Sequence, residues 1–211
     1  DGDVFLCGYT PSTDLDTTPN CYQKNIAGGP DGWIAKFDAN LTTLKACTYF
    51  GGSGHEVSLC TMSLNSIGEV VAAGSTMSTD LPTTSDAVSG SLKGASDAYI
   101  VRFDSALETL DYATYFGGSD HEYDFVNIVL TQHDELIIVG ETLSNDLPVT
   151  ADAYDKGLDG DSDAFVVRFD LDDRVKYCSY LGGSSDEGVP FVQHHDVNTT
   201  IAGMTSSTAF P

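Results

Sequence analysis

The stretch Asp-Ala-Tyr-Ile-Val-Arg-Phe-Asp at 97–104 decides the fold, because the chain writes it three times. It stands as Asp-Gly-Trp-Ile-Ala-Lys-Phe-Asp at 31–38 and as Asp-Ala-Phe-Val-Val-Arg-Phe-Asp at 163–170. From position 31 to 97, and again from 97 to 163, the spacing is 66 residues. Further along the unit, Thr-Tyr-Phe-Gly-Gly-Ser at 48–53 returns at 114–119 and as Ser-Tyr-Leu-Gly-Gly-Ser at 179–184. Gly-Glu-Thr-Leu-Ser-Asn-Asp-Leu-Pro at 140–148 echoes Gly74 to Pro82 and Gly203 to Pro211. Likeness at a fixed period means one supersecondary unit repeated, each copy burying its apolar faces against its neighbours.

Within the central unit the pattern predicts four short strands and no helix. Asp97 to Phe103 is a run of aromatic and β-branched residues, as in a strand packed on both faces. Leu110 to Phe116 alternates and stops at Gly117-Gly118. Phe125 to Leu130 and Leu136 to Gly140 follow, separated by a polar stretch that suits a hairpin. From there to Ser162 the chain is rich in Ser, Thr, Asp and Gly and reads as loop. The units divide as a tail of an incomplete repeat at 1–30, then 31–96, 97–162 and a compressed, truncated 163–211. Together they read as an excerpt of a longer array.

A four-stranded sheet with two apolar faces needs cover on both sides, and radial stacking of several sheets provides it. The predicted class is therefore all-β: β-propeller blades, four-stranded antiparallel sheets in tandem, forming a partial propeller. The succession of Asp-Ala-Tyr-Ile-Val-Arg-Phe-Asp, Tyr-Phe-Gly-Gly-Ser, Val-Gly-Glu-Thr-Leu-Ser-Asn-Asp-Leu-Pro-Val-Thr and Asp-Ala-Tyr resembles the β-propeller repeat family called SBBP, over essentially all 211 residues. The resemblance implies blades of secreted or cell-surface proteins, mostly bacterial and sometimes archaeal, often within large multidomain chains. It implies no common catalytic residue. The chain departs from the family pattern in the long loop before each Asp-Ala-Tyr strand, in His55 and His121, and in its cysteines.

Composition narrows the partners. With 41% hydrophobic and 10% aromatic residues the chain can build a core, and its net charge is −23 from 32 acidic and 9 basic residues. Of the acids, 25 are Asp and 7 are Glu, and Asp favours turns and caps where Glu favours helices. So negative a surface repels phosphate backbones and anionic lipid, which argues against nucleic acid and membrane insertion. No stretch has the length and apolarity of a membrane span. Cations and basic surfaces suit it better.

Several residue groups invite chemistry. His55-Glu56 and His121-Glu122, matched by Asp186-Glu187, could offer a base or ligand. Adjacent strand residues point to opposite faces, however, and recurrence in every unit argues for a turn or cap duty. Asp159, Asp161 and Asp163 are spaced like the first half of a calcium loop, but Ala164 stands where such a loop needs Gly and no Glu follows at the twelfth position. Calcium is the one cofactor to consider, with a solvated acidic loop as the alternative. Asn40 and Asn198 head glycosylation sequons. Cys47 and Cys60 flank the Gly51-Gly52 turn, and Cys7 and Cys21 flank a loop, so each pair is a candidate disulfide; buried free cysteine acting as a compact hydrophobe competes with that reading. His194-His195-Asp196 is expected at a partly exposed strand end.

The functional expectation is a non-catalytic, extracellular structural or adhesive module of a larger surface or filament-forming protein. Its partners would be a protein or glycan at the cell surface, or sister chains, meeting the loops Pro19–Pro30, Ser85–Ser96 and Ala151–Ser162. The alternatives are a propeller-type polysaccharide lyase or hydrolase with a channel site, and a calcium-stabilised binding module.

Overall fold

The computed structural model describes residues 2–122, 126–188, 191–208 and 210, with residues 58–60 by their backbone alone. Among them every regular element is a strand. In chain order these are β1 (Val4–Thr10), β2 (Asp31–Phe37), β3 (Leu44–Phe50), β4 (Glu56–Leu64), β5 (Val70–Thr76), β6 (Asp97–Phe103), β7 (Leu110–Phe116), β8 (Asn127–Leu130), β9 (Leu136–Thr142), β10 (Asp163–Phe169), β11 (Val175–Leu181), β12 (Phe191–His195) and β13 (Asn198–Ala202). All ladders between them are antiparallel. They form sheets in the orders β1-β2-β3, β4-β5-β6-β7, β8-β9-β10-β11 and β12-β13.

The sheets are out of phase with the repeat as the sequence divides it. The strands predicted between Asp97 and Gly140 fall in two sheets: β6 and β7 close one, β8 and β9 open the next. The longest connections, 11–30, 77–96 and 143–162, lie inside sheets; across the second, β5 and β6 pair from Thr76↔Asp97 to Val70↔Phe103. The shorter Gly117-Gly118 turn is where the chain leaves one sheet for another. Phe125, predicted to begin the third strand, lies outside the described residues.

Side-chain alternation explains why one apolar run serves two faces. On β6, Tyr99, Val101 and Phe103 pack toward the first sheet, while Ala98 and Ile100 pack toward the third. β5 and β7 divide in the same way, Val70 and Ala113 to one side, Val71 and Tyr112 to the other. Equivalent aromatic rings join each seam. Phe50 lies 5.8 Å from Tyr99 and 5.7 Å from Phe103, and Phe116 lies 5.9 Å from both Phe165 and Phe169. Each fully buried ring contributes roughly 1.5–3 kcal/mol by leaving water. Ile137, Val139, Val192 and Ile201 join the third sheet to the β12-β13 hairpin.

Among the described strands, those of neighbouring sheets come closest along β4, β8 and β12, the first strand of each later sheet. Thr61 on β4 ties two of these together, donating to Val126 O and accepting from Ile128 N at 3.1 Å each. The opposite edges, β3, β7 and β11, are lined by the long connections. Thr84 N donates to Ala113 O and Tyr115 N donates to Ser89 O, both at 3.1 Å. The Tyr115 hydroxyl accepts from Leu81 N at 2.8 Å and donates to Ser78 O at 2.7 Å; Tyr49 and Tyr180 hold the other two connections alike.

The β2–β3, β6–β7 and β10–β11 turns are also built alike. Asp104 Oδ1 accepts from Glu108 N and Thr109 N at 2.8 Å each, and Asp38 and Asp170 do the same work. Each turn places a residue in the left-handed region: Leu41, Leu107 and Asp173, at φ 57, 59 and 58°. Backbone N–H bonds hold the Asp38 and Asp170 carboxyls below the usual carboxylate range.

Candidate functional site

The recurring acidic residues converge on the seams between sheets. In the first seam, Asp31 opens β2 and Glu56 opens β4, and the Gly51-Gly52 turn runs between them. Glu56 Oε2 accepts from Gly52 N at 2.9 Å, while its Oε1 accepts from Thr76 Oγ1 at 2.7 Å and Ser78 Oγ at 2.5 Å. Asp31 Oδ2 accepts from Ala27 N at 2.9 Å and Gln23 Nε2 at 2.8 Å. The space that a Cβ on Gly51 would fill is occupied by Glu56 Oε2 and the Asp31 carboxyl, which explains the glycine.

The same group recurs twice. Glu122 accepts from Gly118 N at 3.0 Å and Thr142 Oγ1 at 2.7 Å, beside Asp97. Glu187 accepts from Gly183 N at 2.8 Å and from Thr205 and Ser207 hydroxyls at 2.6 Å, beside Asp163. All six carboxyl-bearing residues are buried, between 0 and 2% exposed. The histidines beside them point elsewhere: His55 is exposed and His121 half-buried. The turn duty read from the sequence thus belongs to the Glu of each pair.

Two buried carboxylates at short range cannot both ionise cheaply, so one member of each pair takes up a proton at a higher pH than a free carboxyl does. Asp31 and Asp163 each leave Oδ1 without a hydrogen-bond donor, and each faces the neighbouring Glu. Burial pushes both up to about 6, with the nearby Glu charge adding to it. For Glu187, burial pushes upward, but the hydrogen bonds from Ser207, Thr205, Gly183 and Asp163 together outweigh it and bring its carboxyl down. Below about pH 6 the third pair is therefore a carboxyl on Asp163 facing a carboxylate on Glu187. The middle pair is reversed. Burial moves Asp97 upward, against the lowering effect of the backbone N–H groups that its two oxygens accept, from Lys93 and Gly94 at 3.0 and 3.1 Å. Glu122 is pushed up to about 7 by burial.

This chemistry locks one sheet to the next. Each pair spans two sheets and is buried with its turn, so the pairs act as clasps. The sequence carried a signal for them: Asp31 and Glu56, Asp97 and Glu122, and Asp163 and Glu187 keep nearly constant spacing, while the residue before each Glu changes from His to Asp.

The remaining predicted sites lie apart from one another. Asp159 and Asp161 are exposed, whereas Asp163 is buried with Oδ2 accepting Asp159 N at 3.1 Å. Among the described residues no three His, Cys, Asp or Glu side chains are grouped to hold a metal ion. Asn40 is exposed in the β2–β3 turn, and Asn198 is exposed where β13 begins. His195 Nδ1 lies 3.0 Å from Asp196 Oδ2 at the exposed β12–β13 turn, and His194 meets Thr199 Oγ1 at 2.9 Å.

The Gly51-Gly52 turn does not join paired strands, because β3 and β4 belong to different sheets; the Cys60 side chain lies outside the described ones. Cys7 packs on the β1 face turned to the second sheet. Cys47 lies on the opposite face of its own sheet, next to Cys21.

One cleft of about 240 Å³ opens between the second and third sheets, lined by residues that include Glu69, Arg102, Tyr112, Asp134 and Asp173. Arg102 is already committed: its fork meets both Asp173 oxygens at 2.8 and 2.9 Å, Glu69 lies 3.4 Å from Nε, and its guanidinium carbon is 5.6 Å from the Tyr112 ring centre. The cleft is left acidic. No family model matches this chain, and no curated protein matches it.

Proposed function

We propose that the chain is a run of β-propeller blades serving as a non-catalytic structural or adhesive module outside the cell, as the resemblance to SBBP repeats implies. The observation that carries this reading is the equivalence of the seams. Phe50 and Phe116 fill matching positions, the Asp–Glu clasps recur, and the sheets come closest along β4, β8 and β12. Sheets that approach along one edge and spread toward the other have the wedge shape that radial stacking needs. The apolar face formed by Leu6 and Leu41 is exposed, although the equivalent Ala72 and Leu107 are buried under a neighbouring sheet. That face is suited to a further blade.

Partners, whether surface protein, glycan or sister chain, would meet the exposed parts of the long connections. The test replaces Ser85, Asp86, Val88 and Ser91 together and leaves Leu81, Thr84, Ser89 and Ser96, which hold the outer strand, in place. Binding to a glycan or cell-surface panel, or self-association by analytical ultracentrifugation, should weaken while Tm stays unchanged. Unfolding of this variant, or undiminished binding and assembly, would refute the assignment.

A further inference from the structure

The two cysteines that the loop 11–30 and β3 contribute occupy a contact repeated in every unit. Thr18 N donates to Cys47 O at 3.1 Å, Cys47 N returns a bond to Thr18 Oγ1 at 3.2 Å, and Cys21 N donates to Thr18 O at 3.2 Å. In the second unit the same bonds run from Thr84 to Ala113 O and from Ala87 to Thr84 O, at 3.1 Å each. In the third they run from Thr150 to Cys178 O and from Ala153 to Thr150 O, at 3.0 and 3.1 Å. The repeat thus places a small side chain from the loop beside a small side chain from the outer strand. Only in the first unit are both of them cysteine.

Both are buried, Cys21 at 7% and Cys47 at 2% exposure, and as thiols neither has a charge to pair with. We propose that Cys21 and Cys47 form a disulfide that staples the loop to the outer strand of the first sheet. This pairing differs from the flanking pairs that the sequence suggests. Cys7 faces the second sheet, on the far side of its own sheet from Cys47, and Cys60 stands on a strand of another sheet.

The oxidation needs a two-electron acceptor, here a low-molecular-weight disulfide such as oxidised glutathione. One protein thiolate attacks it and expels one small thiolate. The second protein thiolate attacks the mixed disulfide, forms the Cys21–Cys47 S–S bond and expels the other. The two protein thiols lose two protons, and the oxidant leaves as two thiols. Burial, then the neighbouring Cys21 and Asp16, push the Cys47 thiol up to about 11. The folded dithiol is therefore a slow nucleophile, and the bond forms during folding more readily than after it.

The test refolds the whole chain in a glutathione redox buffer, blocks remaining thiols by alkylation, and digests without reductant using Asp- and Glu-specific proteases. Cuts at Asp14 or Asp16 separate Cys7 from Cys21, and a cut at Glu56 separates Cys47 from Cys60. Mass spectrometry should find one peptide pair joining Cys21 to Cys47 and lighter by two hydrogens. Reductant should lower Tm by roughly 5–10 °C, as expected for closing a loop of this length in a domain of this size. The double variant Cys21→Ala with Cys47→Ala recreates the residue pair of the second unit and so keeps the fold, and its Tm should not respond to reductant. Linkage of either cysteine to Cys7, Cys60 or Cys178, recovery of both as alkylated thiols, or an undiminished reductant effect in the double variant would overturn the proposal.

Discussion

Replacing Glu122 with Gln probes the buried clasp between the second and third sheets. Glu122 is raised from 4.5 to about 7 by burial, so the folded chain binds a proton that the unfolded chain releases above its ordinary carboxylate range. A raised acid contributes stability that is complete below about pH 4.5 and disappears as pH rises through about 7. At 1.36 kcal/mol per pH unit, the loss between pH 4 and pH 8 is about 3 kcal/mol. Glutamine copies the neutral form. Its carbonyl can accept from Gly118 N, and its amide can turn toward Thr142 and Ser144, whose hydroxyl hydrogens are free to rotate. Glu122→Gln should match the parent near pH 4 and exceed its Tm at pH 8 by roughly 6–12 °C, measured by scanning calorimetry. The difference between the two proteins cancels the general repulsion of a chain at −23 and the response of Asp31 and Asp163. A variant no more stable than the parent at pH 8, or a difference independent of pH, would refute the shared-proton account.

Gly117→Ala should cost about 1–3 kcal/mol, because its Cβ would collide with Glu122 Oε2 and Asp97 in a site without room. Gly157→Ala, which meets nothing within 4 Å, is the control; equal urea midpoints for the two variants would contradict the packing at the turn. Tyr115→Phe removes the hydroxyl that accepts from Leu81 N and donates to Ser78 O, orphaning two buried groups at about 1–3 kcal/mol. An unchanged urea midpoint would mean that the 77–96 connection is held by something else.

Much of the local structure was legible from side-chain character alone. β6 and β7 begin and end where Asp97 to Phe103 and Leu110 to Phe116 predict, because β-branched and aromatic runs bounded by Asp and Gly leave little choice. The grouping of strands into sheets was not legible. Self-similarity fixes a period but not a starting point, and Thr76 pairs with Asp97 across a 20-residue connection that looks like a boundary. The clasp was half visible. Glu56 and Glu122 read as turn or cap residues, and each accepts a glycine N–H of the turn before it, but their Asp partners open strands in a neighbouring sheet. The pairing of Cys47 with Cys60 rested on the same assumption: symmetry about a turn suggests a hairpin, and the Gly-Gly turn is a crossing between sheets.

The connections that run along β3, β7 and β11 also govern how copies can meet. An outer strand with bare N–H and C=O groups is a template for the next strand that drifts past. Here Thr84, Ser89 and their equivalents already occupy part of that edge, and the polar loop stands between it and any neighbour. Lateral zippering into fibrils is thereby discouraged, while the apolar face of Leu6 and Leu41 stays exposed. On the reading proposed above, a further blade would meet that face and leave the outer strands covered.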